Sequence, residues 1–150
     1  MIRIFLIAAA LLFVSTASTA QTKPNLSGKW VLDREKTAAA APAAAAGAVS
    51  PITIAMKAAT LKITVPSKDG SGTTKTYTLD GPERKTIVIA GRGGETREEV
   101  SKATIEGARV VIRTTGTNGD SVASWYREGS WLVNERTSKT GTVTTFYKKG

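Results

Sequence analysis

The chain has 150 residues, 21 Lys and Arg against 12 Asp and Glu, a formal net charge of +9, and neither histidine nor cysteine. That length suits a single domain. Without His or Cys there is no Ser-His-Asp or Cys-His nucleophile, no thiolate redox chemistry, no disulfide and no Cys/His zinc site.

Met1 to Ala20 has the layout of a secretory signal peptide. Arg3 supplies the positive start, Ile4 to Val14 the apolar stretch, and Ser15 to Ala20 the small residues that precede a cleavage site. Cleavage is expected between Ala20 and Gln21, which predicts a periplasmic or secreted protein. No later stretch reaches the roughly 18 apolar residues of a spanning helix, and no cysteine follows the cleavage site to carry a lipid anchor. Residues 21–150 are then one domain with 20 basic against 12 acidic groups, a net charge of +8.

Leu26-Ser27-Gly28-Lys29-Trp30-Val31-Leu32 is the first predicted strand, ending at Asp33. Residues 37–50 follow as an Ala/Pro-rich stretch in which Pro42 interrupts two alanine runs and no apolar stripe recurs at helical spacing. It is expected to be a flexible or partly helical loop. From Pro51 onward, turn signals fall near Ala59, Gly70, Gly81, Gly93, Gly107, Gly119, Gly129 and Gly141, at spacings of 10 to 14 residues. Between them apolar and polar residues alternate as half-buried strands require. Ile52, Ile54 and Met56 alternate with Thr53, Ala55 and Lys57; Leu61, Ile63 and Val65 alternate with Lys62 and Thr64. Tyr77 and Leu79 share one face, as do Ile87 and Ile89, and Asn118-Gly119 is the pair a two-residue type I′ hairpin prefers.

The spacing leaves room for hairpins but not for βαβ crossovers. The prediction is an all-β, antiparallel up-and-down meander of about eight to ten strands. Closing it into a barrel removes the two edge strands, and a two-sheet sandwich is the competing architecture. Arg97 to Lys102 puts charge on both faces of its strand, which a lipid-facing barrel wall does not tolerate.

The stretch from Leu26 to Lys36 resembles the opening of small exported bacterial proteins with a lipocalin-like, calycin-type barrel. Gly28-Lys29-Trp30 matches the Gly-x-Trp of that first strand. Leu61 to Val65, Tyr77 to Gly81, Trp125, Glu135 to Thr137 and Phe146-Tyr147 extend the resemblance in order over most of 26–148. It implies a closed barrel with a cavity. It also implies that Trp30 closes the barrel floor beneath an arginine from a late strand, for which Arg136 is the best candidate.

Trp125, Tyr126, Trp131, Phe146 and Tyr147 crowd into the last three strands, as a ligand wall or as ordinary core. Adjacent aromatics on a strand point to opposite faces, so one member of each pair faces outward. The candidate ligand-binding residues are Trp30, Tyr77, Trp125, Trp131, Arg136 and Phe146, with Arg113, Arg127 or Arg136 facing an anionic group. Glu98 and Glu99 are strand neighbours that diverge, a poor acid/base pair. Gly91-Arg92-Gly93-Gly94 lacks the Lys-Ser/Thr and the helix of a phosphate cradle and fits a hairpin loop. The basic residues are dispersed, with no run longer than two. They give long-range attraction to lipopolysaccharide, anionic lipid headgroups or stray nucleic acid, without a nucleic-acid-binding signature.

These features predict a monomeric binding protein, not an enzyme, with no cofactor and no metal, that holds a small hydrophobic or amphipathic ligand. The alternative is a cell-envelope protein that docks on anionic polymers or a protein partner through a basic, aromatic surface.

Overall fold

The computed structural model describes residues 23–48, 50–67, 72–90, 95–117 and 119–150. The predicted export segment, Lys68, Gly70, the predicted hairpin loop at 91–94, Asn118 and the side chains of Ile87 and Ile89 lie outside the described residues.

Ten strands and two helices follow one another as β1 (Gly28–Leu32), α1 (Arg34–Ala40), α2 (Pro42–Gly47), β2 (Ile52–Lys57), β3 (Thr60–Val65), β4 (Thr73–Thr78), β5 (Arg84–Ala90), β6 (Glu95–Glu106), β7 (Arg109–Gly116), β8 (Ser121–Glu128), β9 (Trp131–Ser138) and β10 (Gly141–Lys149). All belong to one antiparallel sheet in the order β4-β3-β2-β1-β10-β9-β8-β7-β6-β5. The first and last strands are hydrogen-bonded, Trp30 opposite Lys149 and Leu32 opposite Tyr147, so the sheet curls into a nearly closed barrel. This is the up-and-down barrel rather than the sandwich.

The unpaired edges are β4 and β5, which follow each other in the chain. Their seam is bridged one strand further on. Leu79 pairs with Ala103, the Asp80 N–H donates to the Ala103 carbonyl at 2.9 Å, and the Ile105 N–H donates to Asp80 Oδ1 at 2.8 Å. These bonds occupy part of the edge that an open sheet leaves exposed.

Of the two forms expected for residues 37–50, the partly helical one is found, and they hold most of a helical hairpin. Asp33 caps α1 by accepting from the Lys36 N–H at 3.0 Å. Pro42 begins α2 instead of breaking a helix, since the first helical position needs no N–H donor. Arg34 ties the two helices by donating to the Ala45 carbonyl at 2.9 Å. Thr37 is fully buried and fastens α1 to the sheet. Its hydroxyl accepts from the Phe146 N–H at 3.0 Å and donates to the Phe146 carbonyl at 3.3 Å, where β1 has already ended. One side chain thus replaces a missing strand partner.

The turns after β2, β6 and β8 crowd one end of the barrel, with Ala58 at φ 51°, Gly107 at 64° and Gly129 at 58°. That end is solid. Leu26, Trp30, Leu61, Val110 and Leu132 fill it with no exposed surface, and the Trp30 indole N–H donates to the Leu26 carbonyl at 3.0 Å.

Candidate functional site

Beyond the solid end the inward faces leave a partly open cavity of about 710 Å³. Its apolar wall comes from Ile52 on β2, Ile63 and Val65 on β3, Ile112 on β7 and Ala123 on β8, with Ala44, Gly47 and Ala48 of the second helix and its end. Strand alternation brings these side chains inward and sends their polar neighbours out. Three aromatics face the same space: Tyr77, Trp125 and Tyr147. The last two stack with ring centroids 6.3 Å apart and planes 29° from parallel. Burial pushes the Tyr147 phenol up to about 12.

Among the described residues, three charged side chains line the cavity. Lys75 on β4 and Glu99 on β6 form an ion pair at 3.5 Å across the seam. Arg136 on β9 is exposed to the open part of the cavity and has no ion-pair or hydrogen-bond partner among the described residues. Its charge reaches Tyr77, whose phenol is raised by burial, then by Glu99, and partly lowered by Arg136. With Lys75 paired to Glu99, Arg136 is the cavity-lining charge without a counter-ion among the described residues. Asn134, beside Trp125 and Thr145 in the register, presents a buried Oδ1 that has no partner among the described residues. The other candidate carboxylates lie elsewhere. Glu98 points outward to Lys85 at 3.9 Å, and Glu106 is bound to Arg113 at 2.6 Å, which holds its carboxyl below the usual range.

Of the six residues expected at a ligand wall, the cavity gathers Tyr77, Trp125 and Arg136. Trp30 lies in the solid end, off the cavity. The late-strand arginine over it is Arg127, with its guanidinium 4.9 Å from the ring, joined by the Lys149 ammonium at 4.6 Å; Arg136 does not take that role. Trp131 and Phe146 are on the outside. There the Lys36 ammonium sits 3.8 Å from the Trp131 ring and 4.7 Å from the Phe146 ring, and the Trp131 indole donates to Asp33 at 3.3 Å. Both rings therefore anchor α1 to the barrel wall. Arg113 faces outward and Arg127 lies over Trp30 at the solid end, which leaves Arg136, of the three candidate arginines, at the cavity.

Sequence reasoning missed Tyr147, Lys75 and Glu99. Parity could have found Lys75, which shares a strand face with Tyr77. It does not choose Tyr147, because Lys148 lies on the Phe146 face and Lys149 on the Tyr147 face.

Architecture and cavity together define a small, nearly closed β-barrel with a partly open interior and a helical hairpin inserted between its first two strands. No protein-family model matches the sequence, and no curated protein sequence matches it either. Solved structures do resemble it. The REP1-NXSQ fatty acid transporter matches with a TM-score of 0.60 at 17% identity, over 83% of this chain and 96% of that one. Human cRBP IV matches with 0.61 at 16%, over 84% and 98%. The fatty-acid-binding protein of Manduca sexta matches with 0.54 at 19%, over 82% and 98%. At such identities the likeness establishes the fold, a calycin-type barrel.

Proposed function

We propose that this protein binds a small amphipathic ligand in the barrel, apolar part against Ile63, Ile112, Trp125 and Tyr147 and anionic group at Arg136. The observation that carries this is the pairing of an apolar, aromatic cavity of about 710 Å³ with an arginine that no carboxylate among the described residues neutralises. Drug-sized ligands occupy pockets of this size with a few polar groups to orient them. Burying ~300 Å² of ligand surface at about 25 cal/mol per Å² supplies several kcal/mol before binding costs. The names of the similar structures, which speak of fatty acid transport and fatty acid binding, support holding a ligand over transforming one. Export is part of the same proposal and rests on Arg3, the apolar 4–14 stretch and the small residues up to Ala20; sequencing the N-terminus of the protein from its native host tests it, with Gln21 as the expected first residue.

Tryptophan fluorescence titrated with a long-chain fatty acid and with the matching alcohol tests the binding site. Both are expected to give a saturable change that disappears with Trp125→Phe, since Trp30 and Trp131 lie off the cavity. Arg136→Gln is expected to weaken the acid by roughly tenfold to a hundredfold, the worth of a charge-assisted bond, and to leave the alcohol unchanged. Absence of a saturable response to either ligand overturns the cavity reading. Equal effects of Arg136→Gln on both overturn the anionic anchor alone.

A further inference from the structure

The outward strand positions of the barrel from β10 through β3 are basic and include no carboxylate. Lys148 on β10, Lys29 on β1, Lys57 on β2 and Lys62 on β3 all point outward and are exposed. None forms an ion pair or hydrogen bond among the described residues. The remaining outward positions on these strands and on β4 are mostly threonine, with Val31, Ala55 and Phe146, and none is Asp or Glu. Asp33, which the Lys148 charge reaches, is already engaged by the Lys36 N–H and the Trp131 indole.

The register fixes the spacing of the four charges. Val31 lies opposite Lys148, so Lys29 is its diagonal neighbour, and Thr60 lies opposite Lys57, so Lys62 is diagonal to that. Diagonal neighbours are about 7–8 Å apart. Lys29 faces Thr53 and Lys62 faces Ala55, which sets the two pairs ~12 Å apart at the usual strand spacing and rise. The result is a two-dimensional array of point charges, not a line. We infer that this wall docks on an anionic lipid surface. A two-dimensional array of lysines on flexible stems can meet a layer of headgroup phosphates, and lysine ammonium groups accept headgroups in any orientation. Single-stranded nucleic acid needs aromatic stacking platforms beside the charge, and the outward side chains around these lysines on β1, β2 and β3 supply none. The inference does not depend on what the cavity holds.

Flotation of the full chain with phosphatidylcholine vesicles, and with vesicles that also contain phosphatidylglycerol, tests this at low and physiological salt. The readout is the ratio of the two partitions, so that any contribution of the apolar 4–14 stretch cancels. The wild type is expected to favour the anionic vesicles, less so as salt rises. Replacing Lys29, Lys57, Lys62 and Lys148 with Gln is expected to lower that preference several-hundred-fold, at about fivefold per lysine. A control variant with Arg84, Lys85, Lys102 and Lys139 changed to Gln loses the same formal charge and is expected to keep most of it. Unchanged circular dichroism and melting show that both variants fold. Equal losses in the two variants, no loss in the wall variant, or a wild type that binds a heparin column but not the anionic vesicles would each overturn the inference.

Discussion

Thr37→Val is the sharpest test of how the helical hairpin is held. Valine keeps the shape of threonine and replaces the hydroxyl with a methyl, so packing at this fully buried position is preserved. What is lost is the pair of bonds to Phe146. The Phe146 carbonyl keeps a partner, since the Asp33 N–H also donates to it at 2.9 Å. The Phe146 N–H has only the Thr37 hydroxyl, at 3.0 Å, and is left buried and unpaired. An orphaned buried donor costs about 1–3 kcal/mol. Taking ~2 kcal/mol with a urea slope of about 2 kcal/mol per molar, the unfolding midpoint falls by roughly 1 M. The melting temperature falls by about 4–8 °C. Thr37→Ser is the control. It keeps the hydroxyl and removes one methyl, for about 1 kcal/mol. Urea unfolding followed by circular dichroism ranks the three proteins. If Thr37→Val is as stable as the wild type, or Thr37→Ser is the weaker of the two, the hydroxyl is not what fastens α1 to β10.

Other outcomes follow from the same packing. Trp30→Ala is expected to lower stability by about 3–5 kcal/mol, because a fully buried indole and its bond to Leu26 are both lost, whereas Trp131→Ala on the outer wall costs less; paired urea curves decide. The Asp33 carboxyl is held low by the Lys36 N–H, then by the Trp131 indole, so its charge stabilises the fold at neutral pH. That contribution is complete above its unfolded value near 4 and fades as pH falls through the lower folded one. The stability gap between wild type and Asp33→Asn is therefore widest at neutral pH and narrows in acid. Tyr147 shifts the other way. Its folded phenol is raised to about 12, so the stability it adds is complete below the ordinary tyrosine value of 10.0 and fades between the two. Spectroscopic titration of phenolate absorbance is expected to show a late step that Tyr147→Phe removes.

The barrel was legible in the sequence because its strands are short, rich in β-branched residues and punctuated by turn residues. The register of Ile52, Ile54, Leu61 and Ile63 follows directly from their alternation. The helical hairpin was not legible, since neither alanine run carries an apolar stripe and Pro42 looks like a breaker until its place at the start of α2 is seen. The site was half legible. Trp131 and Arg136 cannot both face the cavity, because five residues apart on one strand they have opposite parity. On β10 both faces mix threonine with an aromatic and a lysine, so neither hydropathy nor charge chooses between Phe146 and Tyr147. Glu99 stays hidden longest. Its inward position is tolerable only because Lys75 reaches it from β4, a strand that does not follow β6 in sequence and is not paired with it.

The seam between β4 and β5 makes the barrel a linear sheet whose chain was cut in the middle rather than at an edge. The bond between β10 and β1 is the one ladder that joins distant parts of the sequence, and it leaves the Gly150 N–H on the Lys29 carbonyl at 3.0 Å. Joining the two ends there and opening the chain near Pro82 would give a circular permutant that runs from β5 to β4 with every strand beside its predecessor. Such a chain keeps all of the ladder bonds while exchanging its longest loop closure for a short linker, and so should fold faster than the natural order.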